Sequence, residues 1–279
     1  MKLACCTILY SRYSLEHAID ALAQIGYLGI EVWTGRPQMY RHDLDDELPR
    51  LRQKLDHYGL EVPNVLPAQL ACPVFLASTN ERVRTDSVLH MQYVIDNAEK
   101  LGSPAVNICS GPTSLDEPLE RNMQQLERSI GEILRYAESK KIDVLIEPGH
   151  RFETDLIRTT EQALQTIRKF SSEHLGLLLD CGHLVVNGEP IDEVFGAVPS
   201  GTPLHLHIND NDGLHDSHTV PGTGCVDIPA FVRAAVRRGY DGYISVELLS
   251  DRTRQPDEMA AQAYRYCNEL LESIQQEFK

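Results

Sequence analysis

Four apolar runs in the chain each end at a side chain that can bind a metal ion or move a proton. These side chains are Glu147, Asp180, His207 and Glu247. The first run, residues 142–146, is mostly branched and aliphatic, which is typical of a strand covered on both faces. Pro148 and Gly149 cannot extend a strand, so we expect Glu147 to lie where the strand becomes a loop.

The four side chains together suit one divalent metal ion. Three carboxylates and one imidazole form an oxygen-rich set, which favours Mn²⁺ or Mg²⁺ over the thiolate-rich sites of structural zinc. His205 competes with His207 for the role of ligand, because both histidines point to the same side of one strand. Spacing leaves that choice open. The alternative for either histidine is a buried polar residue whose hydrogen bonds are satisfied.

The elements that must position these side chains alternate between strand and helix. The predicted strands cover residues 4–10, 28–33, 61–66, 105–109, 142–147, 175–180, 203–210 and 242–248. The predicted helices cover about residues 14–23, 45–57, 80–101, 115–139, 191–198, 228–238 and 257–278, and a capped helix start lies at 159–162. Eight alternations imply parallel strands, and we predict an α/β chain folded as one (β/α)8 TIM barrel. The carboxyl ends of the strands then meet on the face where such barrels carry active sites.

Length and composition narrow the class of protein. The 279 residues fit a single barrel domain spanning residues 1–279. No apolar run approaches the roughly 20 residues that cross a bilayer, and Met1 to Leu3 lead directly into a strand without a secretory pattern. We therefore predict a cytoplasmic protein with no membrane partner. The net charge of −15, without a basic cluster, also argues against a nucleic-acid partner.

The seven cysteines do not form a recognisable framework. They are odd in number and scattered, and no C-x-x-C pair occurs among Cys5, Cys6, Cys72, Cys109, Cys181, Cys225 and Cys267. This pattern argues against both disulfides and a zinc knuckle, so we predict buried thiols. Cys109 and Cys181 lie near strand ends, where the alternative is a reactive thiol.

The motifs GIEVW, IEP-x3-FE, LLDCGH, HLHIND and VEL together resemble those of the xylose-isomerase-like barrels in the sugar isomerase and epimerase superfamily. The resemblance covers essentially the whole chain. Residues 31–37 are similar to the fructoselysine 3-epimerases, and the chain is more distantly similar to the ketose 3-epimerases acting on tagatose and psicose. One departure is Gly213, where the tagatose-type enzymes carry an arginine six residues beyond the metal histidine.

The resemblance implies a role for each matching position. Glu147, Asp180, His207 and Glu247 would hold one divalent ion, Mn²⁺ before Mg²⁺, Co²⁺ or Zn²⁺. Glu147 and Glu247 would also be the acid–base pair, while Glu153 and His183 would contact substrate oxygens. The implied reaction is C3 epimerisation, or isomerisation, of a ketose or a derivative such as a fructosyl-amino acid through a metal-bound enediolate. The implied partners are a sugar substrate and further copies of the chain in a homo-oligomer.

The proton chemistry also follows without the resemblance. Epimerising a carbon beside a ketone requires removing its proton and returning one to the opposite face. An ionised glutamate can act as the base while a protonated glutamate acts as the acid. Glu147 and Glu247, on non-adjacent strands, could flank a sugar in this way.

Two further features each allow two interpretations. Trp33, the only tryptophan, would be either a wall on which the sugar stacks or a packed aromatic at the rim. The loop 210–218 contains His215, His218 and three aspartates, which would be either a second metal site or a solvated acidic loop. His218 could instead close over the substrate.

Two other functions fit the same fold. An abasic-site endonuclease shares the barrel and the Asp-x-x-His of Asp180 and His183, but needs a multi-zinc cluster with further histidines at earlier strand ends. His42, His57 and His90 fall instead in predicted loops or helices. A non-catalytic sugar-binding barrel would not need the acid–base pair, which this chain has.

Overall fold

Eight parallel strands close into a barrel in chain order in the computed structural model, which describes residues 1–69, 74–249 and 255–278. The strands are β1 (Lys2–Cys6), β2 (Gly29–Trp33), β3 (Val65–Leu66), β4 (Ala105–Cys109), β5 (Asp143–Glu147), β6 (Leu175–Asp180), β7 (Leu204–Ile208) and β8 (Tyr243–Val246). Pairing of β1 with β8 closes the barrel. The prediction of a (β/α)8 TIM barrel is confirmed.

Nine α-helices in the described residues connect and cover these strands. They are α1 (Leu15–Ile25), α2 (Leu48–Tyr58), α3 (Glu81–Leu101), α4 (Leu119–Lys140), α5 (Thr160–Ile167), α6 (Cys181–Asn187), α7 (Ile191–Ala197), α8 (Ile228–Arg237) and α9 (Pro256–Glu277). Local sequence explains several ends. The Ser14 side chain accepts from the backbone N–H of His17 to begin α1, and Gly26 ends that helix at a φ of 112°. None of these helices is long and apolar enough to span a membrane.

The core lies between the strands and the surrounding helices. β2, β4 and β6 are buried along their whole length, as expected for strands covered on both faces. The inside of the barrel differs, because it contains buried polar residues. Glu31, Asn64, Asn107, His205 and Ser245 are all at most 4% exposed. These residues form a layer beneath the carboxyl ends of the strands.

The first and third strands are shorter than predicted. β1 ends at Cys6, and Thr7–Tyr10 form a 3-10 helix whose terminal carbonyls both accept hydrogen bonds from Gln38 Nε2. β3 contains only Val65–Leu66, because Pro63 has no N–H to contribute to a ladder. A single bridge between Gly29 and Glu61 remains of the predicted start of β3.

Helix boundaries also differ from the prediction. α2 begins at Leu48 rather than near residue 45, with Pro49 in its first turn, where a proline is tolerated. α6 was not predicted, and it begins directly after β6 because the Asp180 side chain caps it. Part of the predicted loop 67–78, including Cys72, lies outside the described residues. Cys225 is exposed, whereas the other five described cysteines are buried as predicted.

Candidate metal centre and active site

The four side chains at the strand ends meet at one point. Glu147 and Asp180 are the last residues of β5 and β6, His207 is the penultimate residue of β7, and Glu247 directly follows β8. All four are buried, and one ligand atom from each lies within 4.8 Å of the other three. The structure therefore brings together the set that the sequence suggested as metal ligands.

The four groups lie close enough together to share a cation. His207 Nδ1 lies 2.9 Å from Glu247 Oε2, and 3.8 Å from both Glu147 Oε1 and Asp180 Oδ2. Three carboxylates this close together and away from water repel one another unless they are protonated or bind positive charge. A divalent ion with oxygen-rich ligands would satisfy all of them, so the residues fit the implied metal.

Glu31 fixes the orientation of the His207 ring. Its carboxylate oxygens lie 2.9 and 3.0 Å from His207 Nε2. Because a carboxylate accepts, Nε2 carries a proton, which is the usual arrangement around metal-bound histidines. Nδ1 also faces an acceptor, Glu247 Oε2, at 2.9 Å. Burial lowers the pKa of His207, but Glu31 and Glu247 raise it well above the ordinary value, so a metal ion at Nδ1 would displace a proton. Burial alone would raise the pKa of Glu31, but the His207 and His205 rings hold that pKa well below its ordinary value.

His205 lies one level deeper in the barrel. Its Nε2 is 3.0 Å from Glu31 Oε2 and 2.8 Å from Ser245 Oγ, so this nitrogen already has partners. Burial lowers the pKa of His205. The structure thus places His207, and not His205, among the three carboxylates, whereas spacing along β7 left the choice open.

Glu147 sits in a different environment from Glu31. Asn107 Nδ2 donates to its Oε2 at 2.7 Å. Burial raises the pKa of Glu147 to about 8, although the His207 and His183 rings oppose that rise. Without a metal ion, Glu147 is therefore mostly protonated at neutral pH and suited to donate a proton.

Asp180 is held by two donors. Asn209 Nδ2 donates to Oδ2 at 2.6 Å, and the backbone N–H of His183 donates to Oδ1 at 3.0 Å. The second bond is the N-cap of α6, so the same carboxylate begins a helix and faces the other three predicted ligands. This double use fixes the side chain before any ligand binds.

A cavity of about 240 Å³ opens beside these residues. One wall is apolar and includes Trp33, Leu66 and Leu249, while the other wall is polar. Trp33 is only 8% exposed and packs on Cys6, Leu66 and Ala68, so it is both a packed rim aromatic and part of the cavity wall. Among the described lining residues there is no lysine or arginine.

The polar wall contains the other residues predicted to contact substrate. They are Glu153, His183 and His218. His183 Nδ1 donates to the carbonyl of Pro148 at 3.0 Å, which leaves Nε2 without a hydrogen-bond partner. Burial opposes a charge on His183, but Asp180 and Asp216 raise its pKa well above the ordinary value.

His218 packs over Glu247. Its Nδ1 lies 3.2 Å from the Glu247 carbonyl and its Nε2 lies 2.6 Å from Asp216 Oδ2. Both nitrogens face acceptors, so both carry protons. Burial would lower the pKa of His218, but Glu247 and Asp216 raise it to about 10. The residue has a φ of 42°, in the left-handed region that side chains seldom adopt.

The rest of loop 210–218 does not face the cavity. His215 is exposed and pairs with exposed Asp212. The Asp210 carboxylate accepts from the backbone N–H groups of Gly222, Gly224 and Val226, so it stabilises a turn. Asp216 and His218 are the residues of this loop that line the cavity.

Sequence inspection assigned no role to Glu31, Asn64, Asn107 or His150. Asn64 Nδ2 lies 3.0 Å from both Glu31 Oε1 and Asn107 Oδ1, which connects the supports of His207 and Glu147. The available signal was a charged or amide residue inside an apolar strand, as in GIEVW and AVNIC, because buried polar groups need partners. His150 carried only the weaker signal of its position after a strand end.

The histidines considered for a multi-zinc nuclease lie elsewhere. His42 and His57 are exposed, and His90 is buried in α3, where burial lowers its pKa to about 4. Burial also raises the pKa values of Cys109 and Cys181 well above the ordinary value, so both thiols stay protonated.

The chain is similar to known proteins in both sequence and structure. A sequence model of the family described as "Xylose isomerase-like TIM barrel" matches residues 19–270. Fructoselysine 3-epimerase from Shigella flexneri is 28% identical over 273 residues, covering 97% of this chain and 98% of that protein. The crystal structure of a D-tagatose 3-epimerase-like protein superposes with a TM-score of 0.86 at 24% identity over the full length of both chains. The structure of the IOLI protein with a bound zinc atom covers 98% of this chain and 99% of that one, with a TM-score of 0.83 at 20% identity. The resemblance drawn from the motifs is confirmed.

Proposed function

The chain belongs to the xylose isomerase-like TIM barrel family, and from this premise we propose that it is a metal-dependent carbohydrate isomerase that epimerises a ketose or ketose derivative at C3. The observation that carries the proposal is the convergence of Glu147, Asp180, His207 and Glu247 beside a small cavity. Fructoselysine 3-epimerase, a relative over nearly the full length, supports the type of reaction. Aldose–ketose isomerisation would use the same groups and is the nearest alternative.

Glu147 and Glu247 are the proposed acid–base pair. Both line the cavity, and they are held on β5 and directly after β8. In one direction Glu247 removes the proton next to the substrate carbonyl, and protonated Glu147 delivers a proton to the opposite face of the enediolate. In the reverse direction their roles exchange.

Glu147, Asp180, His207 and Glu247 would hold the divalent ion. When bound, it supplies Lewis-acid charge that stabilises the oxyanion developing on the substrate, an effect of several kcal/mol. We propose Mn²⁺ on the basis of the oxygen-rich donor set. The zinc atom in the IOLI structure makes Zn²⁺ the first alternative to test.

The walls of the cavity indicate the class of substrate. The polar wall offers Glu153, His183 and His218 to hydroxyl groups, and Trp33 offers an apolar face. Because no described lining residue is lysine or arginine, the cavity does not suit a phosphorylated sugar. We therefore propose an unphosphorylated ketose, free or linked to an amine as in a fructosyl-amino acid. A single domain and a homo-oligomer remain predictions from the sequence.

Solvent deuterium exchange tests the proposal. Ketoses and fructosyl-amino acids are incubated in D₂O with Mn²⁺ and the enzyme, and NMR identifies the carbon that gains deuterium. We expect exchange next to the carbonyl of a substrate, with Glu147→Gln and Glu247→Gln each reducing the rate by about 10²–10⁴-fold.

His215→Gln serves as the matched control, because His215 is exposed outside the cavity. It should exchange at the wild-type rate. Exchange that persists at the wild-type rate in both glutamine variants would rule out the two-glutamate mechanism. Mn²⁺ binding without exchange of any substrate would favour a barrel that only binds sugars.

A further inference from the structure

Two buried amides join the supports of two proposed metal ligands beneath the cavity. Asn64 Nδ2 donates to Glu31 Oε1 and to Asn107 Oδ1, at 3.0 Å each. Asn107 Nδ2 donates to Glu147 Oε2 at 2.7 Å. Glu31 in turn accepts from His207 Nε2. Every residue in this line of hydrogen bonds is at most 5% exposed, and the line runs through the barrel from His207 to Glu147.

Three neighbouring strands position the middle of this line. Glu31 lies on β2 and Asn107 on β4, and Asn64 directly precedes β3. Because β2, β3 and β4 are neighbours in the barrel, side chains that point inward from them lie side by side. The backbone N–H of Val32 donates to the Asn64 carbonyl at 3.3 Å, which holds the Asn64 backbone against β2. The sheet therefore sets the position of Asn64.

The charged end of the line determines the direction of its hydrogen bonds. Glu31, whose pKa is held well below the ordinary value by the His207 and His205 rings, is a carboxylate that can only accept. Asn64 must therefore turn its Nδ2 towards Glu31. Turning the amide over would place the Asn64 oxygen against two other acceptors. Asn64 Oδ1 is itself buried without a partner, so the two donations leave one acceptor unpaired.

Asn107 decides which oxygen of Glu147 faces the other proposed ligands. Because the amide holds Oε2, Oε1 is the atom that lies 3.8 Å from His207 Nδ1. An Asn107 amide turned over would put its oxygen against the Glu147 carboxyl group. Asn209 supports Asp180 at 2.6 Å in a comparable way, but no described hydrogen bond joins Asn209 to this line. The support of Asp180 is therefore separate.

We propose that Asn64 is a positioning residue that couples the orientation of Glu147 to that of His207, although it contacts neither. It acts through Asn107 on one side and through Glu31 on the other. Without Asn64, the Asn107 amide loses the neighbour that sets its direction, and Glu31 loses one donor. The inference rests on the proposed function, because it treats Glu147 and His207 as ligands of the divalent ion.

A double-mutant cycle on Mn²⁺ affinity, measured by isothermal titration calorimetry, tests the coupling. Loss of one supporting group typically weakens metal binding about 10–100-fold, and we expect about tenfold for Asn64→Ala and for Asn107→Ala. The double variant should lose about 10–30-fold rather than the product of about 100-fold, because both changes break the same line. Asn64→Ala combined with Asn209→Ala should lose the full product, since Asn209 supports Asp180 separately.

Asn97→Ala is the matched control for the loss of a buried amide. Asn97 is 3% exposed in α3, and its side chain donates to the Arg41 carbonyl outside the cavity lining. This variant should lower the free energy of unfolding in urea, as Asn64→Ala does, but keep Mn²⁺ affinity within about twofold of wild type. If Asn64→Ala does not fold, Asn64→Leu removes the same donors at nearly constant volume.

Wild-type Mn²⁺ affinity in the folded Asn64 variant would overturn the proposal. A double variant of Asn64 and Asn107 whose loss equals the product of the single losses would also overturn it, because the two residues would then act independently.

Crystal structures of the metal-free protein test the same coupling without any ion. In the wild type we expect a single conformer of Glu147 with Oε2 on Asn107. In Asn64→Ala we expect the Asn107 amide to be rotated and Glu147 to occupy a second conformer. Both side chains unchanged in Asn64→Ala would overturn the proposal. A wild-type protein that binds no Mn²⁺ would instead overturn the proposed function, and the metal-free structures would still decide the role of Asn64.

Discussion

Two glutamates are buried inside the barrel at different levels, and their surroundings shift their pKa values in opposite directions. Glu31, from β2, receives hydrogen bonds from His205, His207 and Asn64, and its pKa is held well below the ordinary value. Glu147, at the end of β5, has one amide donor, and burial raises its pKa to about 8. Burial is common to both, so their neighbours account for the difference: the His207 and His205 rings favour the carboxylate of Glu31, whereas the nearby Glu247 and Asp180 add to the rise in the pKa of Glu147.

The same contrast extends to the layers around them. In the lower layer, the Glu31 carboxylate, His205 Nε2 and Ser245 Oγ are paired, and Asn64 Oδ1 is an exception. In the upper layer, four buried atoms have no hydrogen-bond partner, namely His150 Nε2, Glu153 Oε2, His183 Nε2 and Asp216 Oδ1. A satisfied buried network fixes geometry, whereas an unsatisfied one has binding capacity left. The lower layer is therefore the support, and the upper layer is where ligands bind.

Removing the charge of Glu31 is the strongest test of whether the lower layer supports the metal ligands above it. In Glu31→Gln, His207 loses the carboxylate that keeps the proton on Nε2 and directs Nδ1 upward. Loss of such a supporting group typically weakens metal binding about 10–100-fold. We expect that loss for Mn²⁺, measured by isothermal titration calorimetry, even though Glu31 is not itself a proposed ligand.

Ser245→Ala is the matched control for Glu31→Gln. Ser245 contacts His205 in the same layer but does not contact His207 in any described hydrogen bond. Its Mn²⁺ affinity should stay within about threefold of wild type, since only His205 loses a partner. Equal losses in the two variants would show that the layer acts through general stability rather than through His207.

The pKa of Glu147 gives metal binding a pH dependence of known sign. Below about pH 8 the metal-free site holds a proton on Glu147, and a metal must displace it to bind. Mn²⁺ affinity should therefore fall at least about tenfold for each pH unit below 8, and each ion should release at least the proton of Glu147, since the raised pKa of His207 leaves a further proton to displace. Calorimetry at pH 7 in buffers of different ionisation enthalpy counts the released protons.

The free energy of unfolding of the metal-free protein should fall as pH rises, whereas Mn²⁺ affinity should increase. The folded pKa of Glu147 exceeds its unfolded value of about 4.3, so the folded state binds more protons between these limits. The contribution of Glu147 is complete below the unfolded pKa and is lost as pH rises through about 8. Glu147→Gln should lack this component, and binding without proton release at pH 7 would contradict the assignment.

The candidate metal ligands at the strand ends were predictable from sequence, but the buried residues that orient them were not. Glu147, Asp180 and Glu247 follow apolar runs, and in a parallel barrel such positions converge on one face. His207 and His205 share a face of β7, so the pattern along the strand could not separate them. Glu31, which contacts both rings, lies 176 residues before His207 in the chain and meets β7 across the barrel. Local pattern carries no information about such a contact.

The inward-facing residues of the loop after β7 were unpredictable for a related reason. The loop after β7 has no periodicity that separates an inward residue from an outward one. Sequence therefore grouped His215 with His218, although His215 is exposed and His218 is buried. The α6 helix was not predicted from sequence, because Asp180 at the end of an apolar run indicates a metal ligand as readily as a helix cap. One side chain with two roles gives two conflicting local signals.

The smallest expected effects concern two helical glycines, one beside the site and one away from it. A Cβ on Gly182, in α6, would lie 2.1 Å from Asn209 Oδ1, whereas one on Gly196, in α7, would meet nothing within 4 Å. Gly196→Ala should therefore stabilise the fold by about 0.5–1 kcal/mol, the usual gain in a helix. Gly182→Ala should destabilise it by about 1 kcal/mol, because a displaced amide side chain relieves much of the clash. Urea unfolding measures both changes in stability.

Gly182→Ala should also weaken Mn²⁺ binding, because Asn209 donates a hydrogen bond to Asp180. Unchanged Mn²⁺ affinity would show that the support of Asp180 by Asn209 is dispensable.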